Sequence, residues 1–184
     1  MSPEKKRKEI DMVNYDLEHT FVTSDHHFYL WKTQEGRVLG ESSEEEDARH
    51  IELWNSVVGK DDLVLYVGDF CDGEIASLEV LHKKLNGRKI LIKGNHDWLG
   101  EEWYRFVFED VVNELRIDEL NLRLIHIKEE ASERRPGERL IYGHDHRFWE
   151  SAPATTRDSI CVCAKWHDWK PITLVEAFRL MDEA

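Results

Sequence analysis

A chain of 184 residues is close to the usual size of one domain and long enough to bury a core without covalent staples. Its 41 % apolar content, with seven Trp and seven Phe, excludes a disordered polymer. A formal net charge of −13 disfavours broad electrostatic binding to a nucleic-acid duplex. It does not disfavour a phosphate substrate, because carboxylates that hold cations have their charge cancelled by them.

Residues 1–17 read as a flexible segment, with the basic cluster Lys5, Lys6, Arg7 and Lys8 as a solvated tail. One domain is expected over 18–184. The start has no apolar core of signal-peptide length, and no run is long enough to span a bilayer. Cys71, Cys161 and Cys163 form no CxxC pair and no disulfide framework, so a reducing cytoplasm is the expected setting.

In chain order, 19–23 reads as a short apolar strand. The acidic stretch 41–47 then starts a helix over about 44–58, with Ser43 and Glu46 as a capping box and Ile51, Trp54 and Val58 on one face. A buried strand over 62–67 leads to a helix over about 74–85 that aligns Ile75, Leu78, Leu81 and Leu85. A strand at 89–92 and a helix at 100–107 follow. Beyond them the pattern turns to strands at 111–115, 122–127, 140–142, 159–164 and 172–174, with a polar loop at 129–138 and a final helix at 176–181. Strand–helix alternation followed by strands predicts an α/β fold (α+β by some schemes). The expected architecture is a four-layer α/β/β/α sandwich of two packed mixed sheets with helices outside.

Polar segments follow several of these strands: Asp25-His26-His27, Gly68-Asp69, Gly94-Asn95-His96-Asp97, His126, and Gly143-His144-Asp145-His146. Ligands in α/β sheets bind beyond the carboxyl ends of strands, so these groups are expected to meet at one edge. Imidazole, carboxylate and carboxamide together suit divalent first-row metals, and no cysteine is among them. The potential ligands are too many for one cation and suit two that share a carboxylate. Asp69 is the natural bridge, since its two oxygens can each hold one metal. Gly68, Gly94 and Gly143 each precede a ligand and permit tight turns with close backbone approach.

The ordered set DxH, GD, GNHD, lone His and GHDH resembles the signature of the calcineurin-like metallophosphoesterases, over about 125 residues from Asp25 to His146. It is most similar to small bacterial and phage-type members. SDHHF at 24–28, GDF at 68–70, LNGRKILIKGNHD at 85–97 and the Trp169-Lys170-Pro171 segment with its following ITL carry that likeness. The resemblance implies that Asp25, His27 and His146 hold a first metal, that Asn95, His126 and His144 hold a second, and that Asp69 bridges. It implies that His96 stands near the substrate and that Asp97 orients or charge-stabilises it. His26 and Asp145 fall at variable positions. The residues after His126 are Ile127-Lys128-Glu129, where the family usually has a turn containing proline.

The implied activity is that of a hydrolase acting on ester bonds: a metal-dependent cleavage of a phosphodiester or phosphomonoester by a hydroxide bridging two cations about 3.5–4 Å apart. Manganese is the expected metal, with iron, zinc and nickel compatible. His96 would donate a proton to the leaving oxygen, with Asp97 raising its pKa. The expected partner is a small phosphate ester, including a nucleotide, rather than a long nucleic acid or a membrane. The rival readings are a nuclease and a non-catalytic metal-binding interaction module. His19, His50, His82 and His167 read as structural. Trp98, Trp103, Tyr104, Phe106 and Trp149 read as core or rim packing, Cys71 as a small packed residue, and Lys93 and Arg147 as solvated charges within reach of a phosphate.

Overall fold

The computed structural model describes residues 15–29, 44–146 and 151–184. The basic cluster at 5–8, the capping residue Ser43, Arg147 and Trp149 lie outside the described residues. In chain order the elements are β1 (Thr20–Thr23), α1 (Glu44–Asn55), β2 (Leu63–Tyr66), α2 (Ile75–Lys84), β3 (Arg88–Ile92), α3 (Glu101–Tyr104), β4 (Asp110–Val112) and β5 (Glu114–Ile117). They continue with β6 (Leu122–Ile125), β7 (Arg139–Tyr142), β8 (Ser159–Cys161), β9 (Ile172–Thr173) and α4 (Leu174–Asp182).

Two mixed sheets form, ordered β4-β3-β2-β1-β9 and β5-β6-β7-β8. Strands β1 to β4 run parallel and β9 antiparallel to β1. In the other sheet β6, β7 and β8 are parallel and β5 is antiparallel. The period-2 alternation of each strand divides its side chains between two cores. Phe21, Val64, Tyr66 and Leu91 face a core shared with Trp54, Leu78, Leu81 and Tyr104 of the helices. Val22, Leu65, Ile90 and Ile92 face a second core, opposite Leu115, Leu124, Ile141 and Ile160 of the other sheet. Each such side chain contributes about 1.5–3 kcal/mol when fully buried, so the interface between the sheets is a major source of stability.

Helix α4 adds Leu174, Ala177 and Met181 to the inter-sheet core, and the Thr173 hydroxyl caps it by accepting from Glu176 N. The far face of the second sheet carries Ile125, Leu140, Tyr142 and Cys161, with Ala131 and Trp166 packed against them. Its described cover is short 3-10 turns at Lys128–Glu130 and Ala164–His167 rather than α-helix. Tyr15 and Leu17, just ahead of β1, also pack against the inter-sheet core.

Several expected elements take a different form. The single strand at 111–115 is two strands, because β4 pairs with β3 while β5 pairs with β6 in the other sheet. Asn113 is the point of crossing. Ile75, expected on the buried face of α2, is 40 % exposed. Helix α3 ends at Tyr104 and the chain continues as turns, with Phe108 N donating to Tyr104 O. Tyr104 is buried in the core, whereas Trp98 and Phe106 are exposed. The buried Lys89 ammonium donates to the carbonyls of Leu85 (3.0 Å) and Gly87 (2.6 Å), which satisfies groups left open at the end of α2.

Candidate metal centre

The turns after β1, β2 and β7 are sharp. Asp25, His27, Asp69 and His144 all take left-handed backbone conformations, with φ of 58°, 48°, 57° and 71°. Such a conformation costs a non-glycine residue about 1–3 kcal/mol and persists where the surroundings over-determine it. Here the β1 and β2 turns are laced together: Asp25 N donates to Gly68 O (3.0 Å), His27 N to Asp69 O (3.2 Å) and Phe28 N to Phe70 O (3.0 Å). Two of the glycines are demanded by close approach. A Cβ on Gly68, whose φ is +87°, would strike the His126 ring, and one on Gly143 would lie 2.6 Å from Asp25 Oδ2.

Asp25, His27 and His146 bring ligand atoms within 4.8 Å of one another, and so do Asp69, His126 and His144. Asn95 joins the latter group, with Oδ1 at 3.2 Å from His126 Nε2. Asp69 Oδ2 faces both groups, 3.6 Å from His27 Nε2 and 3.2 Å from His126 Nε2. The sequence reading gave one Asp69 oxygen to each metal. In the structure Oδ1 accepts the His96 amide at 2.8 Å, while Oδ2 is the oxygen that approaches ring nitrogens of both groups.

The ring tautomers follow from the partners. Val67 O can only accept, so His126 Nδ1, 2.7 Å away, carries a proton and turns Nε2 toward Asp69 and Asn95. His27 Nδ1 donates to Asp72 Oδ2 at 2.6 Å, and its Nε2 lies 3.1 Å from His146 Nε2. Burial opposes charge on His126, but the Asp69 hydrogen bond and the charges of Asp25 and Asp69 outweigh it and push the imidazole up to about 9. Burial likewise opposes ionisation of Asp69, and the hydrogen bond to His126 reverses this and lowers its pKa. Carboxylate oxygens, an amide oxygen and imidazole nitrogens converging this closely fit a divalent cation better than any neutral arrangement.

Asp97 does not occupy the place expected of it. It is buried, and its carboxylate accepts the backbone N–H groups of Asp69 (2.9 Å), Phe70 (3.0 Å) and Gly94 (2.8 Å). Burial pushes its carboxyl pKa up despite those donors. It staples the β2 turn to the β3 turn. The carboxylate that receives the His96 Nδ1 proton is Asp72, at 3.0 Å. Sequence reasoning missed Asp72. The available signal was a second acid three residues after Asp69, in Gly68-Asp69-Phe70-Cys71-Asp72. Burial alone would raise the Asp72 carboxyl, but hydrogen bonds from His27 and His96 hold it well below the usual carboxylate range.

The remaining histidines lie outside these groups. His26 is buried, stacks on Phe28 (4.9 Å, 8°) and meets the Tyr66 hydroxyl at 3.0 Å; burial brings its pKa down to about 3. His50 stacks on Trp169 at 3.9 Å, His19 meets Asp62 at 2.8 Å, and His167 Nε2 lies 2.9 Å from Cys161 O. His82 is exposed, Cys71 is buried, and Asp145 is half-buried. An open cleft of about 260 Å³ beside Asn95 and His126 is lined further by Lys93, Asn113, Ile125, Ile127 and Glu130.

The sequence profile of the calcineurin-like phosphoesterases matches residues 19–174. The chain belongs to the calcineurin-like phosphoesterase family. It is 33 % identical over 165 residues to the gene 66 protein of Mycobacterium phage L5, covering 71 % of this chain and 78 % of that protein. The gene 66 protein of Mycobacterium phage D29 is 39 % identical over 84 residues, 44 % of this chain and 41 % of its own. An uncharacterized protein of Methanocaldococcus jannaschii is 28 % identical over 148 residues, 76 % of this chain and 77 % of that one. Among solved structures, a protein of unknown function from Aquifex aeolicus superposes with a TM-score of 0.64 at 25 % identity, over 88 % of this chain and 98 % of that one. The phage relatives agree with the small phage-type branch of the calcineurin-like phosphoesterases. Family membership and the ligand groups together support a metal-dependent phosphoesterase. Among the described residues no helix is long and apolar enough to cross a membrane.

Proposed function

We propose that the chain hydrolyses a phosphate ester at a dinuclear centre. Asp25, His27 and His146 would hold one cation, Asn95, His126 and His144 the other, with Asp69 shared. The position of Asp69 Oδ2, within 3.6 Å of His27 Nε2 and 3.2 Å of His126 Nε2, carries this reading. Bound divalent cations supply Lewis-acid polarisation of phosphoryl oxygens and water acidified toward neutral pH. Manganese suits the mixed oxygen and nitrogen donors, as do iron, zinc and nickel.

His96 is the proton donor to the departing oxygen, a role worth about 10²–10⁴-fold in rate. Asp72 fixes its ring through Nδ1 and stabilises positive charge on it, while its other oxygen fixes His27. Asp97 acts at one remove, by holding the turns that carry Asp69 and Gly94. Lys93 at the cleft offers a cation to a phosphate, and Glu130 opposes a polyanion there. With the acidic net charge, this favours a small phosphate ester, a nucleotide included, over a long nucleic acid. Three buried free cysteines suit a reducing cytoplasm.

The test is metal content per chain, measured with turnover on a panel of phosphomonoesters and phosphodiesters with and without added Mn²⁺. Two ions per chain with metal-dependent turnover are expected. Full loading without turnover on any ester would establish the non-catalytic module instead.

A further inference from the structure

After β8 the chain leaves the second sheet and runs beside the end of β1. Ser24 N donates to Val162 O at 3.0 Å, and Ala164 N donates to Ser24 O at 2.9 Å. This detour carries Cys163 to Asp25. The Cys163 thiol is fully buried and donates to Asp25 Oδ2 at 3.1 Å. The same oxygen accepts the His144 N–H at 3.0 Å, a contact shared with Oδ1 at 3.2 Å. The nearest ring nitrogens lie on the other oxygen: Oδ1 is 3.4 Å from His146 Nε2 and 3.9 Å from His27 Nε2. Cys161 Sγ stands 3.2 Å behind Cys163 Sγ, so the thiols form a short relay that ends on the carboxylate.

We infer that Cys163 is a positioning residue of the metal centre, whose thiol commits Asp25 Oδ2 to the protein so that Asp25 ligates through Oδ1 alone. The inference rests on Asp25 being a ligand, as proposed above. Asp25 is only 2 % exposed, so no bulk water stands ready to replace a lost donor. A thiol buried among apolar groups keeps its proton and can donate it. Without that donor only the His144 N–H, which is shared between the two oxygens, restrains the carboxylate, so it can turn and offer both oxygens to the cation, which would change the coordination of the site. Groups that orient a ligand from behind typically affect metal affinity by about 10–100-fold. Nothing in the chain's motifs marks this position, because the contact spans 138 residues of sequence.

The experiment compares Cys163→Ser, Cys163→Ala and Cys163→Val in the full chain, each checked for native circular dichroism. Metal-free protein is titrated with Co²⁺ and Mn²⁺, reading dissociation constants by calorimetry and the visible absorption of bound Co²⁺. Serine keeps a donor and should stay within about threefold of the parent with the same Co²⁺ spectrum. Alanine and valine should weaken binding by about 10–100-fold and alter the spectrum. A purely packing role predicts the reverse order, with valine equal to or better than serine. That order, or an alanine variant with parental affinity and spectrum, overturns the inference while leaving the metal centre intact. Failure of the site itself is distinguishable: the parent would then take up no Co²⁺, or His27→Ala would bind it unchanged, and the inference would fall with the site.

Discussion

The two ligand groups at the sheet edge are held differently. In the first, Asp25 and His27 are buried, and each is backed by a side chain, Cys163 and Asp72. In the second, Asn95 and His144 are exposed, and buried His126 is backed by the main-chain carbonyl of Val67. Under the proposed dinuclear reading, the first group, with only His146 half-buried, would be largely in place before its cation arrives, whereas exposed Asn95 and His144 would have to be gathered by theirs. The first group should therefore retain its ion longer during graded chelation. Asp69 belongs to both groups, and this makes it the point at which the comparison can be broken.

The largest effect is expected at that point. Asp69→Ala should drop metal content below one ion per chain and turnover by about 10⁴-fold or more. A fully loaded pair in this variant, seen by elemental analysis, would show that the groups do not share a ligand. Next comes His96→Ala, which should retain metal and lose about 10²–10⁴-fold in kcat. Parental turnover there removes His96 from the chemistry. Asp72→Asn should cost about 10–100-fold in both kcat and affinity at the first group, since one carboxylate serves His96 and His27. Loss confined to the second group would contradict the backing assigned to the first.

The smallest effect is a pH dependence peculiar to the second group. His126 is raised from 6.5 to about 9, mainly because the hydrogen bond to Asp69 and the nearby acids overcome burial. Metal uptake must displace that proton, so apparent affinity at this group should rise by about tenfold per pH unit toward pH 9 and level above it. In metal-free protein the stability effect has the opposite sign. A raised histidine pKa stabilises the fold fully below 6.5, and that contribution is lost as pH rises through about 9. Thermal melts of metal-free protein across this window would show stability falling; a flat or rising trend would sever His126 from Asp69.

Much of this site was legible as sequence. The polar turns after apolar strands, the glycines before Asp69, Asn95 and His144 and the ordered ligand types all lie in short local segments. Their chemistry depends on residue type and immediate neighbours. What was misread depends on distant partners. Asp97 stands beside His96 in sequence, which suggested that it supports that ring; yet the turn aims it at backbone amides, and Asp72, from another turn, takes the ring. The strand expected at 111–115 looks continuous because apolar Val111, Val112 and Leu115 stand on both sides of Asn113, while pairing partners alone divide it between sheets.

By itself the order of residues determined the strand–helix alternation and the inventory of groups able to bind a cation. Period-2 patterning and turn chemistry act over a few residues and need no partner to be read. Tertiary structure alone decided which acid supports which histidine, which Asp69 oxygen faces both groups, and that a cysteine from the far sheet reaches Asp25. Those choices come from turns laced across the edge of two sheets. A few tenths of an ångström and a single tautomer there settle which atom donates and which accepts, and no local pattern encodes that geometry.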